Sequence, residues 1–162
     1  MKFRHQVHYD AGAAEVHAML TDPAFRKRAA EHVGALSVDV AVTPGAAGAT
    51  TVHVERVEDL AGVPDFVKRV FGATVTVVQQ EEWSSPTRAG FRIESRGKPV
   101  SFVGELILEE SGDATTETMA GEIRIRIPVV GGRLEKQMAE MSAEGMEEEH
   151  EMGVAWLQGD HG

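Results

Sequence analysis

The chain has 162 residues (1–162), of which 42% are hydrophobic, and it carries a formal net charge of −10 without any cysteine. This length suits a single domain that buries its core without disulfides. The acidic balance argues against a nucleic-acid binder, which needs a positive surface for phosphates. The charged N-terminus and the lack of a long apolar run predict a cytoplasmic protein without signal peptide or integral membrane segment.

The beginning of the sequence predicts one strand followed by two short helices. Residues 2–9 alternate between apolar and polar side chains, which is typical of a strand with one buried face. The next segment has helical spacing, with Asp10 as its candidate N-cap. Asp22 and Pro23 then end this helix and start the second one, which Gly34 terminates.

Six further strands are predicted in the middle of the chain, because alternating apolar runs are separated by turn sequences rich in Gly, Pro and Ser. They cover residues 36–42, 50–57, 74–83, 89–96, 100–109 and 115–127. In the last strand, Ile123, Ile125 and Ile127 face inward. A short helical segment over 64–72 interrupts the series.

The C-terminal part, from Arg133 to Gln158, is rich in Met, Ala and Glu and predicts one long helix. Its apolar positions form a single stripe with a period near 3.6 residues, at Leu134, Met138, Met141, Gly145, Met152, Ala155 and Trp156. This stripe indicates a helix that lies on a flat partner. The acidic run 147–151 is either a solvated face, or one of its carboxylates points inward through a gap in the stripe near 148–149 and has a raised pKa.

The segments MKFRHQVHYDAGAAEVHAMLTDPAFRKR, VPDFVKRVFG and VVQQEEW are similar to an uncharacterised bacterial family of unknown function. The order of elements along nearly the whole chain resembles the helix-grip fold of the START/Bet v 1-like superfamily, also called SRPBCC. The resemblance implies an α+β fold, in which a curved antiparallel sheet of about seven strands wraps around the long C-terminal helix and leaves a cavity. Members include lipid and sterol carriers, polyketide cyclases, quinone-binding proteins and co-chaperone domains, so the fold leaves the function open.

Two charged residues share the phase of apolar side chains on predicted strands. Glu81 alternates with Val77 and Trp83, and Arg56 alternates with Val54. They either form a buried pair or orient the polar end of a ligand. The alternative is a bulge or a strand end that returns both side chains to solvent.

Histidines and known motifs indicate no specific chemistry. His5 and His8 point to opposite faces of a strand, and the di-iron spacing Glu147-x-x-His150 occurs once, whereas a di-iron bundle needs two copies. The sequence has no phosphate-binding loop and no nucleophile elbow. We therefore expect neither a metal nor another cofactor, and we assign no catalytic residue.

The aromatic and methionine side chains of a helix-grip fold are either core or cavity lining. The candidate ligand-binding residues are Arg56, Phe66, Phe71, Glu81, Trp83, Phe91, Phe102, Met138, Met141, Gly145 and Met152. The favoured function is a binding or carrier domain for an apolar small molecule such as a lipid, polyketide, isoprenoid or quinone. The alternatives are a cyclase- or dehydratase-like enzyme that uses a cavity carboxylate or His, and a co-chaperone-like or regulatory protein-interaction domain. The sequence leaves the ligand and the oligomeric state open.

Gly145 separates two arrangements of the long helix. A glycine in the middle of a helix costs up to about 1 kcal/mol relative to alanine, so the position needs a physical reason. Either the helix approaches the sheet too closely for a side chain, or the missing side chain leaves space that belongs to a ligand cavity. We expect the cavity.

Overall fold

The computed structural model describes residues 1–161, which form seven β-strands and four α-helices. The strands are β1 (Lys2–Tyr9), β2 (Ser37–Pro44), β3 (Thr50–Asp59), β4 (Thr74–Ser85), β5 (Arg88–Ser95), β6 (Val100–Ser111) and β7 (Ala114–Ile125). The helices are α1 (Ala13–Leu20), α2 (Pro23–His32), α3 (Asp65–Phe71) and α4 (Gly131–Leu157), with a short 3-10 turn at Ala46–Gly48. All strands pair antiparallel in one sheet, in the order β1-β7-β6-β5-β4-β3-β2. The predicted α+β helix-grip architecture is confirmed.

The first two helices start by different means. At α2, the Asp22 side chain accepts a hydrogen bond from the Ala24 N–H at 2.9 Å and Pro23 is the first residue, as predicted. At α1, the predicted cap Asp10 is wrong, because Gly12 occupies the N-cap position and provides no side chain. The carboxylate of Glu110, at the end of β6, accepts the N–H of Ala13 at 2.9 Å instead.

Two glycines face each other across β6 and β7. Gly104 pairs with Gly121, and a Cβ on either residue would collide with the backbone of the opposite strand. Glycine therefore permits an approach of the two strands that no side chain would allow. Near the ends of the predicted strands, Leu36 precedes β2 and is exposed, and Ile127 follows β7 and packs half-buried against the core.

Helix α4 starts at Gly131, two residues before the predicted start, and packs on β1, β7, α1 and α2. Leu134 near its start and Trp156 near its end are both buried. At Gly153 the helix touches the sheet, since a Cβ there would lie 2.7 Å from Cε1 of the buried Tyr9 ring. At Gly145, by contrast, no atom of the described residues lies within 4 Å of the Cβ position, apart from its chain neighbours and the adjacent backbone of its own helix. The helix is therefore supported at both ends and spans open space in the middle.

No helix in residues 1–161 is long and apolar enough to cross a membrane.

Candidate functional site

A cavity of about 340 Å³ lies between the concave face of the sheet and the middle of α4. Small-molecule sites usually have volumes of about 300–1,000 Å³, so this space is of suitable size. Most of the wall is apolar and comes from α2, α3, α4 and the inner face of the sheet, including Val54, Leu60, Val67, Phe71, Val77, Ile93, Leu106, Met119, Met138 and Met141. The lining residues Val33, Gly34 and Asp59 are exposed and mark the mouth.

A buried ion pair forms part of the wall. Nη1 and Nη2 of Arg26 donate to Oε1 and Oε2 of Glu81 at 2.9 and 2.7 Å, and the two side chains are 7% and 0% exposed. Trp83 Nε1 donates to Glu81 Oε1 at 3.1 Å, and Gln79 Nε2 donates to Oε2 at 2.6 Å. Each carboxylate oxygen thus accepts two hydrogen bonds. Burial alone would lower the pKa of Arg26, but the surrounding carboxylates, first of all Glu81, outweigh it and raise this pKa.

The local structure explains how these side chains meet. The period of two along β4 points Gln79, Glu81 and Trp83 to the inner face of the sheet. Arg26 lies one turn before the buried Ala29 on α2, so it shares the buried face of that helix. The main chain supports the guanidinium as well, since the Leu20 carbonyl accepts from Arg26 Nη1 at 3.2 Å.

The predicted buried pair of Arg56 and Glu81 is wrong, because each of these residues pairs with a different partner. Arg56 lies opposite Val77, so along the inner face of β4 it reaches Gln79 before it reaches Glu81. Its Nη1 donates to Gln79 Oε1 at 3.2 Å, and its Nε donates to Glu58 at 2.6 Å. Glu81 is fully buried, so the alternative of a return to solvent is also wrong for this residue.

Two further carboxylates, Glu117 on β7 and Glu149 on α4, line the same cavity. Glu117 is 4% exposed and alternates with the buried Thr115 and Met119 along the inner face of its strand. Burial, and next the charge of Glu149, raise the pKa of Glu117 to about 8. Burial also raises the pKa of Glu149, against the opposing effect of Arg26. Neither carboxylate forms a hydrogen bond or an ion pair with the described part of the chain.

The sequence-predicted site residues divide into two groups. Those that line the cavity are Arg56, Phe71, Glu81, Met138, Met141 and Gly145. Within residues 1–161, those that do not line it are Phe66, Trp83, Phe91, Phe102 and Met152. The rings of Phe91 and Phe102 meet edge to face at 5.0 Å in the core, and Arg133 covers Phe66 at 3.9 Å from the ring centre. Trp83 is buried behind Glu81, and Met152 packs against the core.

The acidic run on α4 splits between the cavity and the surface. Glu149 lines the cavity, whereas Glu147 pairs with His5 at 2.7 Å and His150 contacts the main-chain oxygen of His8 at 2.6 Å. Glu147 and His150 thus have separate partners. Among the described residues, no group of three or more His, Asp or Glu side chains is arranged to hold a metal ion.

Glu149 entered the sequence analysis only as one alternative of the acidic run, and two further site residues, Arg26 and Glu117, were missing from the sequence-based selection altogether. A signal existed for both. Glu117 shares the inward phase of Met119 on an alternating strand, and Arg26 precedes Ala29 and Ala30 at helical spacing. Both are charged residues at positions that repeat in step with buried apolar residues, which is the pattern that identified Arg56 and Glu81.

A curved antiparallel sheet around a long C-terminal helix, with a cavity between them, is a helix-grip fold. Three solved structures are similar to this one across nearly its whole length. TTHA0849 from Thermus thermophilus has a TM-score of 0.70 at 18% identity and covers 98% of this chain and 97% of its own. A START superfamily protein from Mycobacterium smegmatis has a TM-score of 0.64 at 9% identity, with 97% of both chains covered. The Zhui aromatase/cyclase from Streptomyces sp. R1128 has a TM-score of 0.57 at 16% identity and covers 99% of this chain and 93% of its own.

Residues 4–157 match the model of the family described as "Protein of unknown function (DUF2505)", and the chain belongs to this family. No curated protein sequence matches the chain.

Proposed function

We propose that the protein is a binding domain for an apolar small molecule, such as a lipid, polyketide, isoprenoid or quinone, which occupies the cavity under α4. The observation that carries this proposal is the open space at Gly145 in the middle of the cavity wall. Protein interiors are close-packed, with few voids larger than a water molecule. A largely apolar cavity of about 340 Å³ under a helix rich in methionine is therefore best explained as the binding site of a small molecule.

Binding would follow from the removal of apolar ligand surface from water, at about 25 cal/mol per Å². The polar side chains on the wall would orient the ligand, since a few convergent polar groups usually fix direction in an apolar pocket. Similar folds in the Zhui aromatase/cyclase and in the di-domain ARO/CYC StfQ, with a TM-score of 0.66 at 8% identity, are compatible with small-molecule binding.

The test is binding of the neutral fluorescent probe N-phenyl-1-naphthylamine to Gly145→Leu and to a matched control, Gly132→Leu. Gly132 is an exposed residue of the same helix outside the cavity wall, so its leucine points away from the site. A leucine at position 145 would displace about three methylene-sized groups of the probe, which corresponds to roughly 2 kcal/mol, or about thirtyfold in affinity. Equal affinities of the two folded variants, or no binding to the wild type, would overturn the proposal.

A second candidate function, proton transfer in a cyclase- or dehydratase-like enzyme, is favoured by Glu117. A carboxyl with a pKa of about 8 holds its proton near neutral pH and is suited to act as a general acid. The distinguishing measurement is chromatography with mass spectrometry of polyketide-like molecules that were incubated with the protein, since a cyclisation changes the retention time and a dehydration also removes the mass of one water. A product of altered retention or mass that forms with the wild type but not with Glu117→Gln would establish catalysis. Unchanged molecules in both would leave binding alone.

A further inference from the structure

The basic residues of the cavity wall are already committed to partners. The wall contains five acidic residues, Glu58, Asp59, Glu81, Glu117 and Glu149, and two basic residues, Arg26 and Arg56. Arg26 forms its two-point ion pair with Glu81, and Arg56 donates to Glu58. Asp59 lies at the exposed mouth, where it accepts the N–H of Ala61 at 2.8 Å. An anionic ligand would therefore find no free cation among the described residues of this wall.

Glu117 and Glu149 remain without a hydrogen-bond partner on the described chain, and both face the cavity. Only 4% of Glu117 is exposed, and it lies on β7, which pairs with β1 on one side and β6 on the other. Glu149 is half-buried and lies on the part of α4 that spans the open space. Their carboxylates line the cavity and have no donor on the described chain, so a ligand in this space would meet two hydrogen-bond acceptors that lack donors, one of them on the otherwise buried Glu117.

The surroundings favour a positive ligand group. The charged or titratable groups that act on this pair are Arg26 on α2, Arg56 on β3, Glu81 on β4 and Tyr9 on β1. Both arginines are already paired with other carboxylates, and burial keeps the pKa of both cavity carboxyls raised, although Arg26 lowers the pKa of both and Arg56 lowers that of Glu149. The buried Tyr9 hydroxyl also lacks a hydrogen-bond partner among residues 1–161, and burial together with these carboxylates raises its pKa. A cation placed between Glu117 and Glu149 would offset the repulsion between them.

We propose that the bound molecule is an apolar amine, whose ammonium group donates hydrogen bonds to Glu117 and Glu149 while its hydrocarbon part fills the methionine-lined space. This inference rests on the proposed binding function and specifies its ligand class. An ammonium group has three donors and no acceptor, which matches two carboxylates that lack donors. Charge-assisted hydrogen bonds of this kind are stronger than neutral ones, particularly away from water.

The experiment compares three probes of equal chain length, 1-aminooctane, 1-octanol and octanoic acid, by calorimetric titration near pH 9. Like lysine, the amine is still charged there, whereas Glu117 has mostly lost its proton. We expect the amine to bind at least about tenfold more tightly than the alcohol, and the acid to bind most weakly. Between about pH 9 and pH 6 the affinity for the amine should fall at least about tenfold, because the amine must displace a proton from the carboxyl pair.

The matched variants are Glu117→Gln with Glu149→Gln, and Glu148→Gln as the control. Glu148 is the neighbour of Glu149 in the sequence but does not line the cavity within the described chain. The double variant should lose the preference for the amine and keep its affinity for octanol and for N-phenyl-1-naphthylamine, which also shows that it is folded. The control should keep the preference.

Two results would contradict the inference and have different consequences. If octanol or octanoic acid binds as tightly as the amine, the carboxyl pair does not recognise a cation, but the binding function stands. If neither the three probes nor N-phenyl-1-naphthylamine binds, the proposed function fails together with the inference.

Discussion

Glu117→Gln should change how the stability of the protein depends on pH. The folded protein holds the Glu117 carboxyl with a pKa of about 8, above the ordinary value of 4.5 that applies in the unfolded chain. The folded state therefore binds the proton more tightly than the unfolded chain does. The free energy of unfolding falls as the pH rises through the range in which the unfolded chain has released this proton and the folded protein still holds it. The stability from this group is complete below about pH 4.5 and is lost as the pH rises to about 8.

The magnitude follows from the same two values. At about 1.4 kcal/mol per pH unit, the interval from 4.5 to about 8 corresponds to a loss of at most about 5 kcal/mol. Glutamine has nearly the same shape and never ionises, so Glu117→Gln should remove this part of the pH dependence. Above about pH 8, we expect the variant to be more stable than the wild type by a few kcal/mol.

The assay is urea unfolding followed by tryptophan fluorescence at intervals between about pH 5 and pH 9. Glu109→Gln is the matched control, because Glu109 is an exposed residue on the neighbouring strand β6. The control should keep the pH slope of the wild type. If Glu117→Gln has the same slope as the wild type, or is less stable than the wild type near pH 9, the burial of an uncompensated carboxyl is refuted.

Two other predictions concern the ion pair in the cavity wall and the packing of α4 on the sheet. Arg26→Met leaves Glu81 buried with half its hydrogen bonds and should cost roughly 3–5 kcal/mol in urea unfolding near pH 7; a cost below about 1 kcal/mol would contradict the ion pair. Gly145→Ala should stabilise the protein by up to about 1 kcal/mol, whereas Gly153→Ala should destabilise it by roughly 1–3 kcal/mol, because its Cβ would press on the Tyr9 ring. Thermal melts of both variants test this prediction, with Gly145→Ala expected to melt at a higher temperature than Gly153→Ala. If Gly153→Ala melts at the higher temperature, the open space does not lie at Gly145.

The fold could be predicted from local patterns because its elements have distinct periods. Alternation along residues 2–9 and the 3.6-residue stripe of α4 depend only on which faces are buried. The start of α2 could be predicted as well, since Asp22 contacts the N–H only two residues later. At α1 the same reasoning failed, because its first N–H is satisfied by Glu110, 97 residues away.

The candidate site depended on contacts that local patterns do not contain. The alternation of β4 correctly placed Glu81 on the inner face, but its partner Arg26 lies 55 residues earlier on another element. The gap in the α4 stripe left two alternatives for the acidic run, a solvated face or one inward carboxylate near 148–149, and the rotation of the helix on the sheet brings Glu149 to the cavity. That rotation also decides which glycine of α4 packs on the sheet and which one borders the cavity.

The most direct test of the central claim is the methyl NMR spectrum of the protein with ¹³C-labelled methionine, recorded during titration with N-phenyl-1-naphthylamine. The chain contains seven methionines, of which Met119, Met138, Met141 and Met146 line the cavity. The other three, Met1, Met19 and Met152, do not line it and serve as internal controls. If the probe enters the space under α4, the four cavity methyl signals shift together and saturate at one affinity while the controls stay in place. Shifts confined to Met1, Met19 or Met152, or no shifts at all, would contradict the claim.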